Sequence, residues 1–209
     1  MIRILIADDH SIVRRGLKEI LIDEFADVQI SEVNDGIELL KKSREEKWNI
    51  IISDLSMPGK NGLEALKQLK EEFPKLPVLI VSMHPEDRYA IRVLRAGASG
   101  YLTKESASEE LVNAVKTILN GKRYITATVA DKLAQSLDQH SDKELHETLS
   151  DREFDVLKLI ASGKTISEIA GELSLSATTV STYRARILVK MSLRTNAELT
   201  HYGIQNNLV

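Results

Sequence analysis

The chain has 209 residues, 43% of them hydrophobic and 28% charged, and its formal net charge is −3 at pH 7. This composition is typical of a soluble globular protein with one or two domains. The absence of cysteine excludes disulfides, thiolate metal sites and cysteine nucleophiles. Asp8 and Asp9 interrupt the apolar N-terminal run, and no later run approaches the ~18 apolar residues of a membrane span. We therefore expect a cytoplasmic protein without membrane contact.

Short apolar runs alternate with helix-like segments through about the first 120 residues. The predicted strands are 3–7, 28–33, 50–53, 78–82 and 100–103. The predicted helices are 12–21, 37–47, 63–73, 87–96 and 107–119, and Ser106 with Glu109 has the spacing of a capping box at the start of the last one. This alternation predicts an α/β doubly wound, five-stranded parallel sheet.

Asp54 follows the apolar run Ile50-Ile51-Ile52-Ser53 and precedes a turn that contains Pro58 and Gly59. A carboxylate at the carboxyl end of a parallel strand lies in the crevice where open α/β sheets bind ligands. Taken alone, Asp54 is more simply explained as a turn or helix-capping residue.

Charged and hydroxyl residues also end three other predicted strands. Asp8 and Asp9 follow the first, Ser82 ends the fourth and Lys104 follows the fifth, so right-handed crossovers bring them to the edge that holds Asp54. Crowded carboxylates repel one another and favour binding of Mg²⁺, which would also neutralise an incoming phosphoryl group. One carboxylate could then act as a nucleophile while the lysine and the serine bind phosphoryl oxygens. The alternative is an acidic sheet edge bridged by Lys104.

Residues 1–122 resemble the receiver domain of bacterial two-component response regulators. The motifs that carry this resemblance are Ile6-Ala7-Asp8-Asp9, Asp54-Leu55-Ser56-Met57-Pro58-Gly59, Val81-Ser82 and Ala96-Gly97-Ala98-Ser99-Gly100-Tyr101-Leu102-Thr103-Lys104. The resemblance implies a flavodoxin-like fold, a Mg²⁺ cofactor and phosphorylation by a sensor histidine kinase. By motif position, the resemblance implies that Asp54 is the phosphoacceptor and that Ser82 and Lys104 bind the phosphoryl group. It implies that Mg²⁺ is bound by Asp9, Asp54 and the main-chain carbonyl of Ser56, with Asp8 acting through water. It also implies that Tyr101 is a switch aromatic whose ring turns inward when Ser82 moves.

Residues 123–147 are predicted to be a linker. Apolar residues at helical spacing predict a short helix over 126–137, and residues 138–144 are polar with no apolar member. We expect His140 and His146 to be solvated linker residues.

A second, all-helical domain is predicted over residues 148–209. Ser150 with Glu153 and Thr165 with Glu168 form capping-box patterns at the starts of two helices. Residues 174–176 then separate the second helix from a longer one, predicted over 177–191 with Ser176 as its N-cap. Two helices joined by so short a link and supported by an earlier helix predict a helix-turn-helix, whose second helix enters the DNA major groove.

The distribution of charge distinguishes the predicted helix-turn-helix from a plain helical bundle. Between Glu172 and Glu198 there is no acidic residue, whereas four basic residues lie there: Arg184, Arg186, Lys190 and Arg194. Such a local excess in a net acidic chain favours a nucleic-acid interface.

The outward face of the long helix supplies the candidate DNA contacts. With Val180 facing the core, a rotation of about 100° per residue points Thr178, Thr182, Ala185 and Val189 outward. The candidate contact residues are Thr178, Thr179, Ser181, Thr182, Ala185, Arg186 and Lys190.

The second domain resembles the LuxR-type DNA-binding domain, so the whole chain resembles regulators of the NarL/FixJ family. The motifs are Leu149-Ser150-x-Arg152-Glu153-x-x-Val156-Leu157, Ile169-Ala170 and Thr179-Val180-Ser181-Thr182-Tyr183. That family often has lysine where this chain has Ser181 and can have it again where this chain has Ala185, so direct guanine readout by lysine is not available at these positions. The resemblance also implies that the last helix, 196–206, pairs two DNA-binding domains.

These features are compatible with two function classes. The favoured one is a transcription factor that is not an enzyme, whose phosphorylation controls homodimer formation and sequence-specific binding to double-stranded promoter DNA, with RNA polymerase as an additional candidate partner. The rival is an aspartate-nucleophile phosphohydrolase. Such a hydrolase should have a second acid-base aspartate two residues after its nucleophile, where this chain has Ser56.

Overall fold

The computed structural model describes residues 1–58, 60–131, 145–206 and 208–209. The chain divides into two compact units, Met1–Asp138 and Gln139–Val209. Among the described residues, no helix is both long and apolar enough to cross a lipid bilayer.

The first unit is a parallel sheet with helices between successive strands. Its strands are β1 (Ile2–Ala7), β2 (Val28–Val33), β3 (Ile50–Ser53), β4 (Val78–Ser82) and β5 (Gly100–Thr103), in the sheet order β2-β1-β3-β4-β5. Its helices are α1 (Ser11–Glu24), α2 (Gly36–Glu45), α3 (Gly62–Glu72), α4 (Glu86–Arg95) and α5 (Ala107–Leu119). The structure thus confirms the predicted fold class, with element ends that differ from the predicted ones by one or a few residues.

The β-branched runs are strands because both faces of the sheet are covered. Ile50, Ile51 and Ile52 are all buried, and alternate residues of a strand point to opposite faces. One face packs against α1 and α5 in a single apolar core, which includes Ile4, Ile6, Ile50, Ile52, Leu79, Val81, Leu17, Leu21, Leu111 and Val115.

The start of α5 corrects one prediction. Ser106 has helical backbone angles, φ −81° and ψ −13°, and its side chain makes no capping hydrogen bond. Instead, the main-chain N–H of Ser106 donates to Oγ1 of Thr103 at 3.1 Å. The predicted capping box at Ser106 and Glu109 is therefore wrong, because Ser106 already belongs to a turn organised by the preceding threonine.

The segment after α5 packs against the outer edge of the sheet. The N–H of Tyr124 donates to the carbonyl of Ser99 at 2.8 Å, and Tyr124 forms a parallel bridge with Gly100. Oγ1 of Thr126 donates to Glu86 at 2.6 Å. Residues 127–131 are helical, and the rest of the helix predicted over 126–137 lies outside the described residues.

The described part of the second unit is helical. It contains a 3-10 helix (Leu145–Thr148) and the helices α6 (Asp151–Ala161), α7 (Ile166–Glu172), α8 (Ala177–Lys190) and α9 (Asn196–Gln205). Its buried apolar residues include Phe154, Leu157, Ile169, Val180, Ile187, Met191 and Leu199.

Side-chain caps begin the helices of this unit. The capping boxes predicted at Ser150 and Thr165 are both present, and Thr195 forms a third one at the start of α9. Ser176 caps α8 by accepting from the N–H of Thr179 at 3.1 Å. In the link between α7 and α8, Ser174 has a left-handed backbone with φ 53°, which turns the chain between the two helices.

His146 is not the solvated residue predicted. Its Nδ1 lies 2.9 Å from the hydroxyl of Tyr202 in α9, and its ring centroid lies 5.6 Å from that of Phe154 in α6. The imidazole therefore joins the 3-10 helix to two helices of the second unit. His140 lies outside the described residues.

Candidate functional site

The strand register of the first unit brings the predicted acidic residues together. Ala7 of β1 pairs with Ser53 of β3, and the N–H of Asp54 donates to the carbonyl of Ala7 at 2.8 Å. Asp8 and Asp54 are therefore neighbours on one edge, and both are buried, whereas Asp9 is exposed.

Lys104 joins the two buried carboxylates. The pairing of Ser82 with Thr103 places it on the same edge, where its Nζ lies 2.7 Å from Oδ2 of Asp8 and 2.9 Å from Oδ2 of Asp54. One buried ammonium is thus shared by two carboxylates, so the pair keeps an excess of negative charge.

The shared cation affects the pKa values of its partners in different ways. Burial raises the pKa of Asp54, and the hydrogen bond and charge of Lys104 oppose that rise without cancelling it, while the charge of Asp8 adds to it. Burial alone would lower the pKa of Lys104, but the hydrogen bonds to Asp8 and Asp54 outweigh burial, so the pKa of Lys104 is raised. Lys104 therefore remains a cation, and it compensates the burial of Asp54 only in part.

The acidic cluster matches the requirements of Mg²⁺. One ligand atom from each member lies within 4.8 Å of the others, the members being Asp8, Asp9, His10 and Asp54. Opposite oxygens of an octahedral Mg²⁺ are about 4.2 Å apart, and carboxylates are the hard ligands that this ion prefers. The carboxylates therefore fit Mg²⁺ with little movement.

His10 was missed by the sequence analysis. Its Nδ1 lies 3.1 Å from Asp8 and 2.8 Å from Asp9, so it orients both carboxylates. Its position directly after the acidic pair is the signal that could have drawn attention to it.

A close backbone approach shapes the loop after Asp54. The N–H of Leu55 donates to Oδ1 of Asp54 at 2.6 Å, and the N–H of Gly62 donates to the carbonyl of Leu55 at 2.8 Å. A Cβ at position 62 would lie 1.9 Å from the carbonyl oxygen of Asp54. Only glycine allows α3 to begin this close to the site, a requirement that the sequence analysis did not identify.

Ser82 and Tyr101 are joined through His84. Oγ of Ser82, which is fully buried, accepts from the N–H of His84 at 3.3 Å, and the hydroxyl of Tyr101 donates to the carbonyl of His84 at 2.7 Å. The ring of Tyr101 is only 2% exposed, so it already faces inward. Nε2 of His84 lies 3.1 Å from Oγ of Ser56, which connects this loop to the loop after Asp54. His84 was also missed, although it lies two residues after Ser82.

The predicted outward face of α8 and the other predicted DNA contacts, apart from Thr179, are exposed in the second unit. The exposed residues are Thr178, Ser181, Thr182, Ala185, Arg186, Val189 and Lys190, whereas Thr179 is half-buried and its Oγ1 lies 2.7 Å from Oγ of Ser176.

Two of the basic residues on α8 are engaged within the unit. Nε of Arg184 donates to Asn196 at 2.5 Å, and Nζ of Lys190 donates to the buried carboxylate of Glu153 at 2.6 Å. Arg186 lies on the exposed face between them. The predicted contact by Lys190 therefore requires an ammonium that also stabilises the start of α6.

Comparison with known proteins covers both units. Residues 4–116 match the model of the response regulator receiver domain, and residues 147–203 match that of the bacterial regulatory proteins of the luxR family. The response regulator UvrY of Escherichia coli (strain K12) is 33% identical over 209 residues, which cover 100% of this chain and 96% of the relative. The response regulator GacA of Pseudomonas viridiflava is 36% identical over 210 residues, covering 100% of this chain and 98% of the relative.

Two solved structures are similar over nearly the whole chain. RcsB from Salmonella enterica serovar Typhimurium, bound to promoter P1flhDC in the presence of phosphomimetic BeF3−, is 28% identical with a TM-score of 0.60, covering 96% of this chain and 97% of that one. A two-component response regulator RcsB–DNA complex is 28% identical with a TM-score of 0.58, covering 96% of each chain. The chain belongs to the two-component response regulators of the NarL/FixJ type, transcription regulators that join a receiver domain to a LuxR-type helix-turn-helix domain.

Proposed function

We propose that Asp54 accepts a phosphoryl group from a partner sensor histidine kinase and that this modification controls transcription. The observation that carries the proposal is the ammonium of Lys104, which lies within 2.9 Å of both Asp8 and Asp54 at the receiver edge. A cation fixed beside a buried carboxylate favours the charged product of phosphoryl transfer, because it faces the position of the new phosphoryl oxygens.

The reaction transfers one phosphoryl group between two side chains. An oxygen of Asp54 forms a bond to phosphorus, the bond between phosphorus and the kinase imidazole breaks, and the imidazole nitrogen keeps the electron pair. Asp9, Asp54 and the main-chain carbonyl of Ser56 would hold Mg²⁺, with Asp8 acting through water, and the ion would supply positive charge that offsets the crowded oxygens. Lys104 and Ser82 bind the phosphoryl oxygens.

The switch acts through contacts that meet at His84. A phosphoryl group that draws Ser82 toward Asp54 removes the acceptor of the His84 N–H, which now lies 3.3 Å away. The hydroxyl of Tyr101 donates to the carbonyl of His84, and its side chain is already buried. Movement of this loop would therefore shift a ring that is already inside, and not draw an exposed ring inward as the resemblance implies. Both responses change the start of α4.

The consequence for DNA follows from dimerisation. Receiver pairing would bring two helix-turn-helix domains together, with α9 pairing the domains and α8 of each in one half-site. The proposed partners are the sensor histidine kinase, double-stranded promoter DNA, a second copy of the chain and RNA polymerase. The proposed location is the cytoplasm, and the proposed domain limits are 1–122, 123–147 and 148–209. We expect no catalytic activity toward other substrates.

The test is incubation of the full chain with Mg²⁺ and a small acyl phosphate donor, followed by intact-mass measurement. One phosphoryl group should be added to the wild type and none to Asp54→Asn. Asp23→Asn, which changes an exposed carboxylate on α1, serves as the matched control and should be labelled like the wild type. Labelling of Asp54→Asn to the wild-type level would show that another residue is the acceptor.

A further inference from the structure

The exposed face of α8 carries a row of methyl groups. Thr178, Thr182, Ala185 and Val189 are all exposed, and Val189 is 80% exposed. At about 100° per residue, these four positions lie within about 60° of one another, opposite the buried Val180. We call them the methyl stripe.

The methyl stripe is poor in groups that could donate to a base. Ala185 and Val189 have no polar side-chain atom, and Oγ1 of Thr182 donates its proton to the carbonyl of Thr178 at 3.0 Å. This bond within the helix leaves the γ-methyl of Thr182 as the group that can face a partner. Guanine is read by side chains that donate to its O6 and N7, so Thr182, Ala185 and Val189 are unsuited to that contact.

The cations of α8 lie beside the stripe or are held by the protein. Arg184 donates to Asn196 and Lys190 donates to Glu153. Arg186 is exposed and is rotated by about 70° from the centre of the stripe, where it is placed for a phosphate rather than a base edge.

We propose that the methyl stripe reads the C5-methyl groups of thymines by apolar contact, so that each half-site is defined by A·T pairs. This inference rests on the proposed function, since it requires α8 to enter the major groove. Alanine and threonine methyl groups are side-chain groups that contact the thymine methyl in known recognition. The stripe spans about 16 Å of helix, comparable to about five base pairs at 3.4 Å each.

The test removes single methyl groups from the DNA. Full-length protein, treated with Mg²⁺ and an acyl phosphate, selects bound duplexes from a random-sequence pool, and the selected site is then resynthesised with deoxyuridine in place of one thymine at a time. Deoxyuridine keeps every hydrogen-bonding group of thymine and lacks only the C5-methyl. Each contacted thymine should lose about fourfold in affinity when replaced, the factor equivalent to about 0.8 kcal/mol for one buried methyl-sized group.

The matched protein variant is Thr182→Ser, which removes the γ-methyl and keeps the hydroxyl. It should lose the fourfold response at one thymine of each half-site and keep the response at the others. Arg186→Ala should weaken binding to thymine and deoxyuridine duplexes alike, so the ratio between them should be unchanged. Circular dichroism of each variant checks that the fold is retained.

The outcomes separate this inference from the proposed function. A selected site whose affinity is unchanged by every deoxyuridine replacement would overturn the methyl contact and leave sequence-specific binding intact. A full response that persists in Thr182→Ser would remove Thr182 from the contact. Failure to select any preferred sequence would overturn both the proposed DNA recognition and the inference.

Discussion

Lys104 is the residue on which the electrostatics of the receiver site depend, because it is one buried cation between two buried carboxylates. Lys104→Met would leave Asp8 and Asp54 side by side without compensation. Loss of one member of a buried ion pair commonly costs about 3–5 kcal/mol of folding free energy. We expect a destabilisation of that size when a chelator removes divalent metal ions, and a smaller one when Mg²⁺ is added. Urea unfolding followed by the fluorescence of Trp48, the single tryptophan of the chain, would measure it in the first unit.

Lys116→Met is the control for this experiment. Lys116 pairs with Glu24 at a surface where its side chain is 50% exposed, and such pairs contribute little to stability. We expect a change near zero and no effect of Mg²⁺. Methionine keeps most of the apolar length of lysine, so equal losses in the two variants would show that the buried charge of Lys104 contributes no more to stability than a surface charge.

A substitution at Ser82 tests the proposed phosphorylation switch. Ser82→Ala removes the hydroxyl that a phosphoryl group would draw toward Asp54, so phosphorylation could no longer change the acceptor of the His84 N–H, while Asp54 and Lys104 stay in place. The variant should therefore be phosphorylated, though it should dimerise more weakly on phosphorylation than the wild type. Sedimentation with and without an acyl phosphate compares the two proteins, and identical phosphate-induced dimerisation would exclude Ser82 from the mechanism.

Helix α6 begins with a buried capping group that also pairs with α8. Oε2 of Glu153 accepts from the N–H of Ser150 at 2.7 Å and from Lys190 at 2.6 Å. Burial alone would raise the pKa of Glu153, but the hydrogen bonds from Lys190 and Ser150 outweigh burial and lower it. The ionised carboxylate is therefore the form that stabilises the folded second unit.

This gives a pH-dependent prediction for Glu153→Gln. A carboxylate whose pKa is lowered by folding adds stability above its unfolded pKa of about 4.3, and that stability is lost as the pH falls through the lower folded value. We expect the variant to be less stable by about 1–3 kcal/mol at pH 7, and the difference to shrink below about pH 4. Urea unfolding monitored by far-ultraviolet circular dichroism at each pH would measure it.

Glu168→Gln supplies the comparison at an exposed capping box. Glu168 accepts from Thr165 at the start of α7, and this hydrogen bonding lowers its pKa, but the side chain is exposed. Its loss should cost less than that of Glu153. A pH-independent effect of Glu153→Gln would mean that shape, and not charge, explains the role of Glu153.

The elements were predictable wherever one local rule decided them. The β-branched run at Ile50 and the capping boxes at Ser150 and Thr165 each satisfy their hydrogen bonds or burial within a few residues, and all formed as expected. The capping box predicted at Ser106 did not form, because the N–H of Ser106 donates to the side chain of Thr103 on the preceding strand. The prediction that His146 is a solvated residue was wrong, because its partners, including Tyr202, are distant in sequence.

The candidate site was predictable for a related reason. Asp8, Asp54 and Lys104 follow strand ends, so the topology of a parallel sheet is enough to bring them together. The contacts of His84 with Ser56 and Tyr101 depend on loop conformation, which no periodicity encodes.

DNA binding by the full chain should depend on two half-sites and on salt. With Arg184 and Lys190 engaged within the second unit, one copy of α8 presents few cations to the phosphates, so useful affinity requires a dimer. We expect a two-half-site operator, an inverted repeat whose half-sites lie about one helical turn or less apart.

Arg186→Ala tests the phosphate contribution. It should weaken binding about equally on the operator and on a scrambled duplex, and it should reduce the dependence on salt. Ser181→Ala is the companion variant and should instead change which bases are preferred. The affinity of both variants for the two duplexes would be measured by titration at several salt concentrations. An equal loss of affinity on both duplexes for Ser181→Ala would show that Ser181 reads no base.

The contact of Tyr124 with Gly100 also protects the receiver against aggregation. β5 is the last strand of the sheet, and an open edge strand is a template on which another chain can add. The chain covers the beginning of this edge with its own next segment, and a Cβ at Gly100 would lie 3.0 Å from Tyr124, too close for the cover to fit without a shift. A receiver cut after α5 would therefore have a bare edge, and one cut after residue 131 would keep its protection against aggregation.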